Sequence, residues 1–263
     1  MNKNSLYFDG IRNNLKTEYI GKDLLFFEET TSTFDEANSQ TLKNGMVICA
    51  KRQTKGRGRL GRSWESSDGG IYFSVILKPD LTQDEVHIMT AMCAVGIQRA
   101  ISSILPCYIK WPNDIVSENG KKLCGILTKL QHGGDDDSYI NVGIGINANT
   151  KSFGDELKYA SSIALVTGNC VDENLLLCNC LKEIENVCSK SDALEIMKEY
   201  KLNCITLGKR VRVLYAHEEK SETGLCVDIK NDGSLVVNTD DGRVINVGSG
   251  EVSVRGIYGE KYV

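Results

Sequence analysis

With 263 residues the chain has room for one large domain and a smaller one. Acidic residues outnumber basic ones, 35 to 31, and the resulting formal charge of -4 speaks against a nucleic-acid footprint, so no DNA partner is expected. No apolar run approaches the ~18 residues of a membrane span, and the first residues lead into a polar segment instead of a signal core, so a cytoplasmic protein with no membrane partner is expected.

Ten cysteines are scattered along the chain, mostly inside apolar stretches such as Met92-Cys93-Ala94 and Leu123-Cys124-Gly125, and no C-x-x-C pair occurs. They read as reduced, mostly buried thiols, with no metal site indicated. The three histidines, His87, His132 and His217, have no partner motif.

In chain order, Leu24 to Phe27 is an apolar run of strand length. It leads through a hydroxyl cluster ending in Ser32-Thr33 to Asp35 and Glu36, which look like the first turn of a helix. Ser32 or Thr33 is either an N-cap with Glu36 near the capping-box position, or a hydroxyl facing a ligand, or both. Met46 to Ala50 reads as a buried strand running into Gln53, and Gly69 to Leu77 as a second strand.

Between them lies Lys55-Gly56-Arg57-Gly58-Arg59-Leu60-Gly61-Arg62-Ser63-Trp64, with four cations, three glycines and no apolar period. Glycines let backbone amides approach a ligand, and arginines offer planar donor forks that suit carboxylates and phosphates. The segment reads as a loop that closes over an anion, as a solvated loop, or as a basic tract for nucleic acid.

Asp84 to Ile104 carries the period of a long, largely buried helix. In Tyr108 to Val116, Lys110 stands among apolar residues, where it either meets an anion or extends to solvent, and Pro112 predicts a bend or bulge in the strand. Lys121 to Leu130 and Tyr139 to Asn147 read as paired strands joined by an acidic turn at 133–137. Gly143 and Gly145 alternate with apolar residues, which leaves room for a flat group or marks a weakly packed strand. Phe153 to Ser162 looks irregular with a short helix, and 172–189 and 192–202 look like amphipathic helices. Beyond Leu202, short alternating strands at 210–215, 223–229, 235–238 and 244–247, with turns at Asn231-Asp232-Gly233 and Asp240-Asp241-Gly242, predict a small all-β barrel.

Taken together, these segments resemble the bacterial biotin protein ligases, the biotin–[acetyl-CoA-carboxylase] ligases, over nearly the whole chain. The landmarks are Ser32-Thr33, Gly56 to Trp64, Lys110-Trp111-Pro112-Asn113-Asp114 and Gly143 to Asn147, with Lys122 to Leu127 also fitting. Phe34 departs from the family's usual Asn, and Gly154 stands where a Pro is common. Only about thirty residues precede Ser32, too few for a helix-turn-helix domain, so the monofunctional form is expected.

The resemblance implies an α/β (α+β) fold: a mixed-sheet catalytic domain of the biotin/lipoate ligase type at 1–205 and an SH3-like β-barrel at 206–263. It also implies activation of biotin by ATP to biotinyl-5′-AMP and transfer to a lysine of a biotin carboxyl carrier protein, without a covalent enzyme intermediate. Mg²⁺ is expected with ATP, although no motif shows protein ligands for it. Catalysis would fall to Lys110 and Arg59. Biotin would be held by Ser32, Thr33, Phe34, Gln53, Arg57, Gly58, Arg59 and Lys110. The nucleotide would meet Arg57, Arg59, Lys110, Asn113, Gly143, Gly145 and Asn147. Trp64 would support the loop or stack on a base. Family members occur as monomers and homodimers. A lipoate ligase or octanoyltransferase would show a different Arg-Gly motif with a neighbouring His-Asp, which is absent. A binding module without turnover would not need the set Arg57, Arg59 and Lys110.

Overall fold

The computed structural model describes residues 6–39, 41–78, 86–132, 138–190, 192–215, 220–249 and 252–255. Its larger sheet is built from β1 (Leu24–Thr30), β2 (Val47–Gln53), β3 (Gly70–Leu77), β4 (Cys107–Lys110), β5 (Asp114–Ser117), β6 (Lys122–His132) and β7 (Ser138–Asn147). The strand order is β1-β2-β3-β7-β6-β5-β4. Only β1 and β2 run parallel and every other pair is antiparallel, so the sheet is mixed. The predicted helix start at Asp84, the strand end at Pro79 and the acidic turn at 133–137 lie outside the described residues.

The alternation of side chains along the strands separates two faces. On one, Val47, Cys49, Ile71, Phe73, Val75, Val142, Ile144 and Ile146 join the main core. That core takes in Ile11 of α1 (Phe8–Asn14), Ile163 of α4 (Ile163–Thr167), and α3 (Val86–Ser102) and α5 (Glu173–Lys190), which pack on each other, and α3 also meets α6 (Ala193–Leu202). On the other face, Ile48 and Ile76 form a small cluster with Ala37, Met46 and Tyr139. The short helix α2 (Thr33–Glu36) packs on this side, against β2, β3 and β7. The rest of that face is left open for a cavity.

The N-terminal helix, Phe8–Asn14, carries no strong sequence signal, and its segment is tied down by two buried glutamates of α5. Glu173 accepts from the Leu6 amide at 2.8 Å. Glu185 accepts from three successive amides, Glu18 at 2.6 Å, Tyr19 at 2.8 Å and Ile20 at 2.9 Å. Charge-assisted bonds of this kind are strong, and removing the carboxylate strands the donors. Glu185→Ala is therefore expected to destabilise the protein by about 3 kcal/mol, read as a Tm roughly 10 °C lower in a thermal melt. A shift under about 2 °C would show that the three amides find other partners.

The segment 108–116 corrects the sequence expectation. Instead of one strand bulged at Pro112, it is a hairpin: β4 and β5 are antiparallel, with Lys110 opposite Asp114 and a cis Trp111-Pro112 peptide in the turn. Trp111 is buried and donates from Nε1 to the Gly233 carbonyl at 2.9 Å. Tyr200 of α6 donates to the Pro112 carbonyl at 3.0 Å. The free edge of β4 is covered by the connecting chain, with Ile109 donating to Asn203 and Ile205 donating back to Ile109.

The smaller sheet holds β8 (Arg210–Tyr215), β9 (Ser221–Ile229), β10 (Leu235–Thr239), β11 (Val244–Val247) and β12 (Val252–Arg255), in the order β11-β10-β9-β8-β12 and antiparallel throughout. Four of these strands are legible as alternation, and β12 lies beyond the pattern. Gly233 and Gly242 take φ values of 83° and 85°, as the predicted turns require. Eight of the ten cysteines are buried, Cys170 is exposed and Cys188 is intermediate, and all are free thiols, as their apolar surroundings predict.

Candidate active site

A cavity of about 440 Å³ opens over the sheet face that carries β6 and β7, beneath the glycine-arginine loop. Five cations line it, Arg57, Arg59, Arg62, Lys110 and Lys122, against two carboxylates, Asp114 and Glu156. An acidic chain thus folds to concentrate positive charge at one concave place, which favours an anionic ligand.

One end of the cavity is polar and desolvated. Ser32 begins α2, but its side chain makes no cap hydrogen bond, so the N-cap reading fails for its hydroxyl. Its Oγ is buried and unpartnered. Glu36, expected at the capping-box position, instead accepts from Thr30 Oγ1. Thr33 donates to Gln53 Oε1 from its amide at 2.8 Å and from its hydroxyl at 3.2 Å, while Gln53 Nε2 donates to Ser66 at 2.8 Å. A buried unsatisfied hydroxyl costs about 1–3 kcal/mol, so Ser32 is poised for a polar group on a ligand. Phe34, also on α2, supplies an apolar wall: a Cβ built on Gly143 would come within 2.8 Å of its ring.

The floor beside it is glycine. Gly125 and Gly145 are cross-strand partners on β6 and β7, and Cβ atoms on them would meet the Trp64 indole at 2.6 Å and 2.4 Å. The flat group for which the glycines leave room is thus a side chain of the protein itself. Trp64 lies on this floor with Lys122 5.1 Å from its ring centroid, and its Nε1 is buried without a partner.

The loop is more ordered than its composition suggests. Arg57 and Ser63 form an isolated antiparallel bridge, Gly58 donates to the Arg62 carbonyl at 2.7 Å, and Trp64 donates to Gly56 at 2.8 Å. Leu60 at the tip takes a φ of 56°. Arg57 donates to Asp35 at 2.7 Å. Arg59 donates to Asn113 Oδ1 at 2.9 Å and to the Ser249 carbonyl beyond β11. Asn113 is itself fixed by donating to the Ile126 carbonyl at 2.6 Å.

Lys110 lies at the centre, 6% exposed. Burial lowers its pKa to about 8, the cations Lys122, Arg59 and Arg62 act in the same direction, and Asp114 opposes them. Lys122 pairs with Asp114 at 2.7 Å. An anion placed here would relieve the mutual repulsion of these cations.

The structure brings Ser32, Thr33, Phe34, Gln53, Arg57, Gly58, Arg59, Lys110, Asn113, Gly143 and Gly145 to the cavity wall. Asn147 stands apart: it does not line the cavity, and its Nδ2 donates to the Lys122 carbonyl at 3.4 Å. Sequence reasoning leaves out Lys122, Asp114, Glu156 and Tyr159. Lys122 sits in a segment recognisable by its neighbours, yet as one of two adjacent lysines it gives no sign of which one turns inward. Glu156 and Tyr159 lie in an irregular stretch whose placement depends on Tyr159 and Ser161 pairing with the Lys122 backbone.

Residues 26–147 match the Biotin/lipoate A/B protein ligase family, and residues 206–255 match the Biotin protein ligase C terminal domain. The chain is 33% identical over 246 residues to the bifunctional ligase/repressor BirA of Bacillus spizizenii, covering 88% of this chain and 74% of that protein. It is 26% identical over 222 residues to the biotin--[acetyl-CoA-carboxylase] ligase of Mycobacterium tuberculosis, covering 80% and 79%. A biotin protein ligase from Aquifex aeolicus, solved in complex with biotin and ATP, is similar in structure with a TM-score of 0.78, 32% identity and coverage of 89% of this chain and 99% of that one.

Proposed function

The chain belongs to the biotin protein ligases, and from that premise we propose how its own residues carry out the reaction and on what acceptor. The observation that carries the proposal is the cavity in which a polar, desolvated end meets a cluster of cations about Lys110. We assign the deep end, with Ser32, Thr33, Gln53 and Phe34, to the ring system of biotin, so that its carboxylate points toward Lys110. ATP then approaches over Trp64, its α-phosphate beside Lys110, Arg57 and Arg59, and Asn147, off the cavity wall, would serve the nucleotide side through the Lys122 carbonyl to which it donates. Asn113 presents Arg59, and Gly143 and Gly145 seat the aromatic rings that frame the ligands.

In the first step a carboxylate oxygen of biotin attacks the α-phosphorus, the P–O bond to pyrophosphate breaks, and biotinyl-AMP forms. Two anions must meet, so the protein's work is positioning and charge stabilisation. Among the described residues, no group of three His, Cys, Asp or Glu side chains is placed to hold a metal. Of the two cavity carboxylates, Asp114 is already paired with Lys122. Mg²⁺, brought with ATP, would supply further charge neutralisation beside Lys110, Arg57 and Arg59.

In the second step the amine of a biotin carboxyl carrier protein takes the biotinyl group. We further propose a division at 205/206 into a catalytic domain and a C-terminal domain. Ten free thiols support work in a reducing compartment, the cytoplasm. A monomer or homodimer acting without DNA completes the proposal.

Pyrophosphate release with biotin, ATP and a carrier domain is the test. Release that requires biotin supports the reading, release that requires lipoate or octanoate replaces it, and binding without release reduces the protein to a biotin-holding module. A pH profile examines Lys110. As pH rises through about 8, Lys110 of the free enzyme loses its proton and its charge, so kcat/KM for adenylate formation is expected to fall on the alkaline side. Lys110→Arg keeps the charge and should move this limb upward. An unmoved limb would transfer the titration to another group.

A further inference from the structure

A second cavity, of about 150 Å³, adjoins the first, and Arg59, Pro112 and Asn113 border both. Its other walls include Leu60 at the loop tip, Thr90 of α3 and Thr128 of β6. Arg59 and Asn113, joined by a hydrogen bond of 2.9 Å, stand on the wall common to the two spaces, with Ile126 and Leu127 also bordering both. The volume is too small for a nucleotide or a fused ring and suits an unbranched aliphatic chain. Among the described residues that line it there is no carboxylate; its polar groups are the Asn113 amide, two threonine hydroxyls and the Arg59 guanidinium. The Thr128 hydroxyl is buried without a hydrogen-bond partner. Leu60, at 39% exposure, marks the side nearest solvent.

We propose that this cavity admits the side chain of the acceptor lysine, with Thr90 and Thr128 as positioning residues along its path. The inference rests on the ligase reading above. Once biotinyl-AMP fills the main cavity, its acyl carbon lies near Lys110 and Arg59, and an attacking amine needs a way in that neither biotin nor AMP occupies. The second cavity shares Arg59 with that neighbourhood. The amine must arrive neutral, and a confined space with a guanidinium and no carboxylate favours the neutral form. The amine nitrogen attacks the acyl carbon, the C–N bond forms, and the C–O bond to the phosphate breaks. AMP leaves with the bonding pair, and the proton lost by nitrogen goes to the AMP phosphate or to water.

The experiment fills the cavity with Thr128→Leu and, separately, Thr90→Leu in the full chain. Three rates are compared with wild type: biotin-dependent pyrophosphate release, single-turnover transfer from bound biotinyl-AMP to an unbiotinylated carrier domain, and reaction of the same adenylate with hydroxylamine, which needs no long passage. Pyrophosphate release and the hydroxylamine reaction are expected within about twofold of wild type, while the transfer rate constant at saturating carrier falls at least about tenfold. Wild-type transfer in a folded variant overturns the proposal. So does a parallel loss of pyrophosphate release, which would place the cavity in the first step. If both leucine variants misfold, Leu60→Trp narrows the passage from the exposed loop tip, and the same three rates decide. A wild-type protein that releases no pyrophosphate with biotin and ATP overturns the ligase reading together with this proposal, whereas a change confined to the variants bears on the cavity alone.

Discussion

Lys110→Ala is expected to lower the rate of adenylate formation ~10²-fold or more, the magnitude typical of losing one preorganised electrostatic stabiliser. The residue lies where the proposed mechanism brings two anions together, it is buried, and it sits on the β4–β5 hairpin held by Trp111 and Tyr200. It is in place before any ligand arrives, so its charge costs no reorganisation at the moment of reaction. Removing it should not unfold the protein. Burial and three neighbouring cations disfavour its charged form, with Asp114 opposing, so the alanine variant loses an unfavourable buried charge. The paired outcome is lost pyrophosphate release with an unchanged or higher Tm. Near-normal turnover would remove Lys110 from the centre of the mechanism, and a collapsed Tm would make its role structural.

Arg59→Gly separates making the adenylate from holding it. Arg59 belongs to the loop and is anchored on Asn113 and the Ser249 carbonyl, whereas Lys110 belongs to the sheet. The glycine variant should therefore keep more biotin activation than Lys110→Ala. It loses the proposed charge-assisted contact to the phosphate and the loop's anchor on the Ser249 carbonyl, together worth about 1.5–3 kcal/mol, so release of biotinyl-AMP should quicken roughly 10- to 100-fold. Free biotinyl-AMP acylates any accessible lysine, so a bystander such as albumin, incubated with the variant, biotin and ATP, should stain for biotin far more strongly than with wild type. If pyrophosphate is made but albumin stays as clean as with wild type, other contacts hold the intermediate.

The sequence by itself determined most of the strands, because alternation and periodicity are local properties of burial, whereas the β4–β5 hairpin and β12 were not legible in it. It supplied the cations and glycines of the loop, because these are residue types, while a closure over an anion, a solvated loop and a basic tract all remained open readings. The motifs carrying the family resemblance likewise placed Ser32, Gln53, Arg59 and Lys110 in one site before their distances were known.

Only the tertiary structure decided which partners those groups have. Lys110 could have extended to solvent; the hairpin turn at Trp111-Pro112, pinned from α6 and the small sheet, buries it among cations. Gly125 and Gly145 lie twenty residues apart, and their joint role as a floor for Trp64 exists only through the β6–β7 register. Lys122 meets Asp114 at the cavity wall, a pairing that composition does not contain. Asn147, named by its motif, lies behind the Lys122 backbone instead of on the cavity wall. Local sequence sets which face a residue prefers. Which charges share a low-dielectric space is fixed by long-range register and by packing between elements, and it is that sharing which shifts a pKa or leaves a hydroxyl waiting for a ligand.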